Sequence, residues 1–262
     1  MKNLLRIHLL AFLGALFFPG ITAAELSTSA RPHVVIFMSD GMGWNDVSYH
    51  GSLIHTPNID QLAKEGLELD RFYVHPTCTL TRTAMMTGRS PISFGMRHGK
   101  LADKVLPVDE HFLPQSFQAA AYQTFMVGKW HLGNKRDAFL PNKRGFDQFY
   151  GFSGGSINYY THLDSKGRLD WQRNGKTLKE EGYSTDLFAA EAVTLLRNRD
   201  KSRPVFLYMP FNAPHVTPDG GPQAPDELVE KYRKIGLGGK STRRSEERRV
   251  GKEGKSRGAP EP

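Results

Sequence analysis

Three short apolar runs set the terms for how this chain can fold. They are Val34-Val35-Ile36-Phe37-Met38, Thr124-Phe125-Met126-Val127-Gly128-Lys129-Trp130 and Pro204-Val205-Phe206-Leu207-Tyr208-Met209. Runs of this length that do not alternate with polar residues read as strands covered on both faces, as in a parallel sheet flanked by helices. Helical patterns lie between them. Thr56-Pro57 opens one with a cap residue and a proline at the first helical position, Ile59, Leu62 and Ala63 form its apolar stripe, and Gly66 closes it. A second covers Pro114 to Ala121. A third is capped by Ser184 and runs to Arg197, with Leu187, Phe188, Glu191, Leu195 and Leu196 in period. Strands alternating with helices predict an α/β layered fold with a mainly parallel central sheet. There is no internal repeat.

The three runs empty into polar residues: Asp40 after the first, Lys129 and His131 at the end of the second, His215 after the third. In open α/β sheets ligands bind outside the carboxyl ends of the strands. Each residue alone has an ordinary reading, as a loop acid, a solvated lysine, a histidine bonded to backbone or a turn former. Three such ends carrying charge are the first sign of a site.

Composition removes other classes. With 16 Phe, 9 Tyr and 3 Trp the chain carries too much apolar surface for a disordered polymer. The single Cys excludes an intrachain disulfide and a Cys-rich zinc centre. The net charge of +8 comes mostly from the ends, since residues 25–239 hold 25 basic and 23 acidic side chains. That balance argues against a nucleic-acid partner.

Lys2 and Arg6 precede an apolar run of ten, Leu9 to Phe18, then Pro19-Gly20 and the small residues Thr22, Ala23 and Ala24. A positive start, short apolar centre and small-residue exit read as a secretory signal over residues 1–24. Ten residues are too few for a membrane anchor, which needs about twenty. An exported protein, secreted, periplasmic or lysosomal, is therefore expected, with no stable membrane span. At the other end, residues 240–262 have no helical or strand period and Val250 as their only large apolar residue. They read as a disordered basic tail outside the fold. The letters from Arg244 to Glu253 resemble translated sequencing adapter more than a heparin or nucleic-acid patch. The domain expected to fold is 25–239.

Cys78 lies in His75-Pro76-Thr77-Cys78-Thr79-Leu80-Thr81-Arg82-Thr83-Ala84-Met85-Met86-Thr87-Gly88-Arg89. Thr81 to Thr87 can form a short helix with Cys78 at its amino end, where the dipole favours anions, and Arg82 stands four residues on. The thiol is either an activated nucleophile or a buried structural group.

This stretch resembles the signature of the type I sulfatases, Cys-x-Pro-Ser/Thr-Arg followed by Thr-Gly-Arg. Further blocks fit the same family in order: Ser39 to Asp46, Thr56-Pro57-Asn58-Ile59-Asp60, Gly128-Lys129-Trp130-His131-Leu132-Gly133, Arg144-Gly145-Phe146-Asp147 and Asn212-Ala213-Pro214-His215. They run from about Pro32 to Tyr232, with the arylsulfatases B, I and J as the nearest likeness. The resemblance implies an alkaline-phosphatase-like fold and hydrolysis of sulfate esters of sugars or aryl alcohols. It implies that a formylglycine-generating enzyme oxidises Cys78 to formylglycine, whose hydrate attacks sulfur through one hydroxyl and expels sulfate through the other. It further implies a Ca2+ ion bound by Asp40 and by the group at Cys78. Arg82 would steady the formylglycine, Lys129 contact sulfate and His131 hydrogen-bond the hydrate. His215 would sit by the leaving oxygen, which it or Lys129 would help protonate.

Three departures qualify this. Gly41 stands where the family has a second Asp, and Leu80 where the signature has Pro. The chain also stops before the family's later Asp-Asn pair and C-terminal domain, so it reads as an N-terminal fragment with weak calcium binding and little or no turnover. Two other readings remain: a phosphodiester or phosphonate hydrolase of the same superfamily, and a non-catalytic binder of sulfated glycans. Trp44, Asn45 and Asp46 are expected to be structural. Tyr159, Tyr160 and Trp171 could stack on a sugar ring or lie in the core.

Overall fold

The structure is a computed structural model, and it describes residues 31–97, 106–221 and 223–237. The expected signal segment and basic tail lie outside these residues. Six strands form one sheet: β1 Val34–Met38, β2 Gln123–Lys129, β3 Gln148–Phe152, β4 Gln172–Arg173, β5 Lys176–Thr177 and β6 Val205–Pro210, in the order β1-β6-β2-β3-β4-β5. The first four positions in that order are parallel to their neighbours, and β4 and β5 add an antiparallel edge. The expected α/β architecture with a mainly parallel sheet is present.

Among the described residues five α-helices accompany it: α1 Pro57–Glu65, α2 Cys78–Thr87, α3 Leu113–Ala119, α4 Ser184–Arg197 and α5 Asp226–Lys234. The apolar runs are continuous because two cores need them. On one face Met126, Phe149, Phe206 and Tyr208 pack with Met86 of α2 and with Leu113 and Phe117 of α3. On the other, Phe125, Val127, Tyr150, Val205, Leu207 and Met209 pack with Trp171 and with Phe188 and Ala192 of α4. Alternate residues of β2 and β6 thus face opposite helical layers, and every residue of both strands is buried.

Several expectations need correction. β1 is not buried on both faces. Val34, Ile36 and Met38 join the first core, while Val35 and Phe37 stay 42% and 62% exposed, because β1 ends the sheet outside the second core and, among the described residues, only Phe211 stacks on Phe37 from that side. The apolar stripe of α1 is likewise open: Ile59 and Leu62 line a groove with Trp44, Tyr49 and Leu69 instead of entering a core. Thr56 does not cap α1 through its side chain. Its hydroxyl donates to the Asp60 carboxylate and accepts from the Ser48 N–H. Ser184 is the first residue of α4, not its cap, and its hydroxyl pairs with the Asn212 amide. The short helix expected over Thr81 to Thr87 starts three residues earlier, so Cys78 is its first residue. β3, β4 and β5 had no counterpart in the sequence reading.

Gly128 explains how closely the sheet packs near the site. Its φ is +134°, and a Cβ there would collide with the Pro210 carbonyl, so only glycine lets β2 run this close to the end of β6.

Candidate active site

The carboxyl ends of β1, β2 and β6 lie side by side, and the start of α2 brings Cys78 to them. A cavity of about 550 Å3 opens there, lined by Asp40, Gly41, Cys78, Arg82 and His215 among others. Asp40 follows β1, where its N–H donates to the Ala213 carbonyl at 3.0 Å. Its carboxylate oxygen Oδ2 accepts from Lys129 Nζ and from Arg82 Nη2, the latter at 3.2 Å. Arg82 also donates to the Lys129 carbonyl, so one guanidinium joins α2 to the ends of both strands.

These groups are buried, and their charge states follow from that. Burial alone would raise the Asp40 pKa, but Lys129 and Arg82 outweigh it and hold the carboxylate below its ordinary value. Burial lowers the Lys129 pKa, an effect that Asp40 offsets only in part. The Lys129 side chain is fully buried, which overturns the solvated alternative.

His131 reaches the same place by a different route. Alternation along a strand cannot aim it, because β2 ends at Lys129 and His131 has a left-handed φ of +57°. Its N–H donates to the Ser153 carbonyl at 3.2 Å, and its Nδ1 lies 3.2 Å from Cys78 Sγ. The Thr79 hydroxyl sits 3.2 Å from the same nitrogen. Desolvation, then the Lys129 and Arg82 charges, push the His131 pKa down to about 3, so the ring is neutral at physiological pH. Gly155 seats this ring, since a Cβ there would lie 2.7 Å from Nε2.

His215 follows β6 in a turn held by Tyr159, whose hydroxyl donates to the carbonyls of Asn212 and His215. Its Nδ1 lies 2.8 Å from the Val216 carbonyl. The structure therefore gathers Asp40, Cys78, Arg82, Lys129, His131 and His215 at one end of the sheet. Sequence reading passed over Thr79, Gly155 and the turn-holding role of Tyr159. It also missed Asp170, whose carboxylate accepts from the N–H groups of Ser153 and Gly154 and from the Ser153 hydroxyl. Of the residues considered for sugar stacking, Tyr159 and Trp171 are core and Tyr160 is exposed. Asp46 is buried and accepts from the Gly43 N–H, while Trp44 stacks on His50 in the open.

The sulfatase family's sequence profile, described as Sulfatase, matches residues 32–249. The chain belongs to the sulfatase family. Arylsulfatase J of Mus musculus is 39% identical over 222 residues, covering 81% of this chain and 36% of that protein. Ps i-CgsB, solved in complex with k-i-k-neocarrahexaose, superposes with a TM-score of 0.70 at 35% identity, covering 78% of this chain and 49% of that one. A protein solved with its substrate, D-glucosamine-2-N,6-O-disulfate, superposes with a TM-score of 0.64 at 30% identity, covering 78% of this chain and 38% of that one. The sulfatase chain described here thus spans less than half the length of each of these relatives.

Sulfatases are generally metal-dependent, and Asp40, Cys78 and His215 form a candidate metal-binding triad whose donor atoms lie within 4.8 Å of one another. The triad does not fit calcium by itself. Ca2+ takes six to eight oxygen ligands, whereas this set has one carboxylate, one sulfur and one imidazole. Gly41, next to Asp40, contributes no side chain.

Proposed function

We propose that this chain is the N-terminal catalytic part of an exported hydrolase of sulfate esters, with Cys78 as the site of formylglycine formation. The observation that carries this reading is that Cys78, Arg82 and His215 line one cavity in a sulfatase-family chain, with His131 Nδ1 3.2 Å from Cys78 Sγ and Lys129 paired with Asp40 behind them. Relatives solved with k-i-k-neocarrahexaose and with D-glucosamine-2-N,6-O-disulfate support a sulfated sugar as substrate. Sequence features support a secretory signal over residues 1–24 and maturation by a formylglycine-generating enzyme.

The surroundings of Cys78 suit that modification. Sγ stands in for a hydroxyl oxygen of the hydrate, and it lies at a helix start beside a neutral imidazole. The hydrated aldehyde would supply two hydroxyls on one carbon, one to attack sulfur and one to release sulfate. His131 holds the attacking group by hydrogen bonding, and its low basicity keeps it from becoming a competing cation. Arg82 and Lys129 outnumber Asp40 in charge and leave the end of the sheet attractive to an anionic sulfate. His215, on the cavity wall, is placed to protonate the leaving oxygen, with Lys129 as the other candidate donor. The calcium ion implied by the resemblance is not matched by this chain's donors, and none of these steps runs through it.

Leu80 does not disturb the fold expected of the signature. It occupies the third position of α2, where a proline would cost no intrahelical hydrogen bond, so either residue suits the helix. Gly41 favours a second reading, a binder of sulfated glycans that keeps the cationic pocket without turnover. The test is mass spectrometry of the tryptic peptide Phe72–Arg82 from a host with the formylglycine-generating enzyme. Turnover of an aryl sulfate against an aryl phosphodiester is measured alongside. An aldehyde at position 78 with even slow, sulfate-selective turnover supports the hydrolase. An intact thiol without turnover sinks it, and retained preference for a sulfated over a desulfated oligosaccharide then identifies the binder.

A further inference from the structure

On the function proposed above residue 78 has two chemical states, and the donor set around it differs in character between them. As a thiol it brings sulfur into a group with the Asp40 carboxylate and the His215 imidazole, all within 4.8 Å. We infer that in the thiol form Asp40, Cys78 and His215 constitute a site for a borderline-soft transition-metal ion of the Zn2+ class, in preference to Ca2+.

Ligand chemistry supports the choice of ion. Thiolate and imidazole suit zinc and its neighbours, while hard cations select oxygen. Three protein ligands with an open fourth position is the arrangement of reactive zinc centres. Bond lengths of about 2.0 to 2.3 Å place tetrahedral donors roughly 3.3 to 3.8 Å apart. Donors within 4.8 Å therefore need only a modest contraction.

The partners of each ligand are also compatible. The pairing of His215 Nδ1 with the Val216 carbonyl selects the tautomer protonated there and leaves the lone pair on Nε2, the usual way a backbone carbonyl orients a metal-binding imidazole. Tyr159 fixes the turn that carries this ring. Lys129 and Arg82 both bind Asp40 through Oδ2, so Oδ1 is the carboxylate atom that neither engages. Cys78 and His215 both line the cavity, which gives an ion an entry path and room for a water ligand. Binding displaces the thiol proton to solvent, so one proton is released per ion bound.

This site is independent of the proposed turnover, because it belongs to the unconverted side chain. The experiment uses the full chain with Cys78 verified as a thiol by mass, titrated with Co2+ as a spectroscopic substitute for Zn2+. The expected result is a near-ultraviolet sulfur-to-cobalt charge-transfer band that Zn2+ abolishes and Ca2+ leaves unchanged. Because Cys78 is the only cysteine, Cys78→Ser must remove the band. His215→Gln is expected to weaken Co2+ binding by about ten-fold or more, with circular dichroism showing that both variants are folded. In wild type, Zn2+ but not Ca2+ should slow alkylation of Cys78 by iodoacetamide. Absence of the band in wild type, its survival in Cys78→Ser, or equal displacement by Ca2+ overturns the inference. None of these outcomes bears on whether a formylglycine form hydrolyses sulfate esters.

Discussion

Lys129, the last residue of β2, donates to the carboxylate of Asp40, which lies beyond the end of β1, across the intervening strand β6. Arg82 reaches the same oxygen from α2. This buried cluster joins three elements that are far apart in the chain, and it places a net positive charge at the mouth of the sheet. Removing one member leaves an uncompensated charge out of water.

Asp40→Ala is therefore expected to cost about 3 to 5 kcal/mol of stability. Combining it with Lys129→Met should cost less than the sum of the two single changes, because the second substitution removes the charge that the first left unpaired. Urea denaturation of the two single variants and the double variant measures this. Simple additivity would show that the two side chains do not interact.

Acid sensitivity should begin well above the carboxylate range. The folded pKa of His131 is about 3, against an ordinary 6.5, so the unfolded chain binds a proton there that the folded chain refuses. Stability from this residue is fully present above pH 6.5 and drains away as pH falls towards 3. Asp40, whose folded pKa also lies below its ordinary 3.8, adds its own loss only below about that value. His131→Gln is expected to flatten the stability profile between those limits. A profile unchanged by the substitution would assign the acid response elsewhere.

Gly155→Ala should dislodge the imidazole. A Cβ at 2.7 Å from Nε2 forces the His131 ring away from Cys78, and a displacement of about 1 Å is enough to cost roughly 10²-fold in a positioned reaction. The direct readout is nuclear magnetic resonance of the His131 ring, whose contacts to Cys78 should disappear while the rest of the spectrum is retained. Persistence of those contacts would mean that the loop, not the ring, gives way.

Trp171 and Tyr160 separate core from surface among the aromatic residues near the site. Trp171 is fully buried against Tyr150, His162 and Phe188, so Trp171→Ala should cost about 3 to 5 kcal/mol. Tyr160 is 42% exposed, and Tyr160→Ala should change stability by only about 0.5 kcal/mol. If either tyrosine or tryptophan stacks on a sugar, only Tyr160→Ala can weaken oligosaccharide binding without unfolding the chain. Equal destabilisation by the two changes would contradict this division.

The central strands were legible because burial on two faces demands unbroken apolar letters, as in Val205 to Met209. The same rule misread β1, whose letters are equally apolar although one face stays open. β3 escaped notice because Gln148 and Gly151 interrupt its pattern, and its pairing with β2 supplies what local preference lacks. The β4–β5 hairpin is two residues on each side, too short for any period, yet Asn174-Gly175 with φ of +50° and +79° is a turn signal that could have been used. Within the site, Asp170 and Thr79 had no local mark, since their partners, Ser153 and His131, are remote in the chain.

By itself the sequence determined which chemistry is at hand: one thiol at a helix start, carboxylate, lysine and histidines placed where apolar strands end, and family blocks in their expected order. Only the tertiary structure decided that these groups meet, that Lys129 is buried on Asp40, that burial and neighbouring charge favour the neutral His131 ring, and that the sulfur lies near a carboxylate and an imidazole. Periodicity records which face of an element is apolar. Ionisation and coordination depend on distance and on the exclusion of water between groups up to 175 residues apart, such as Asp40 and His215, and those are set only when the elements pack.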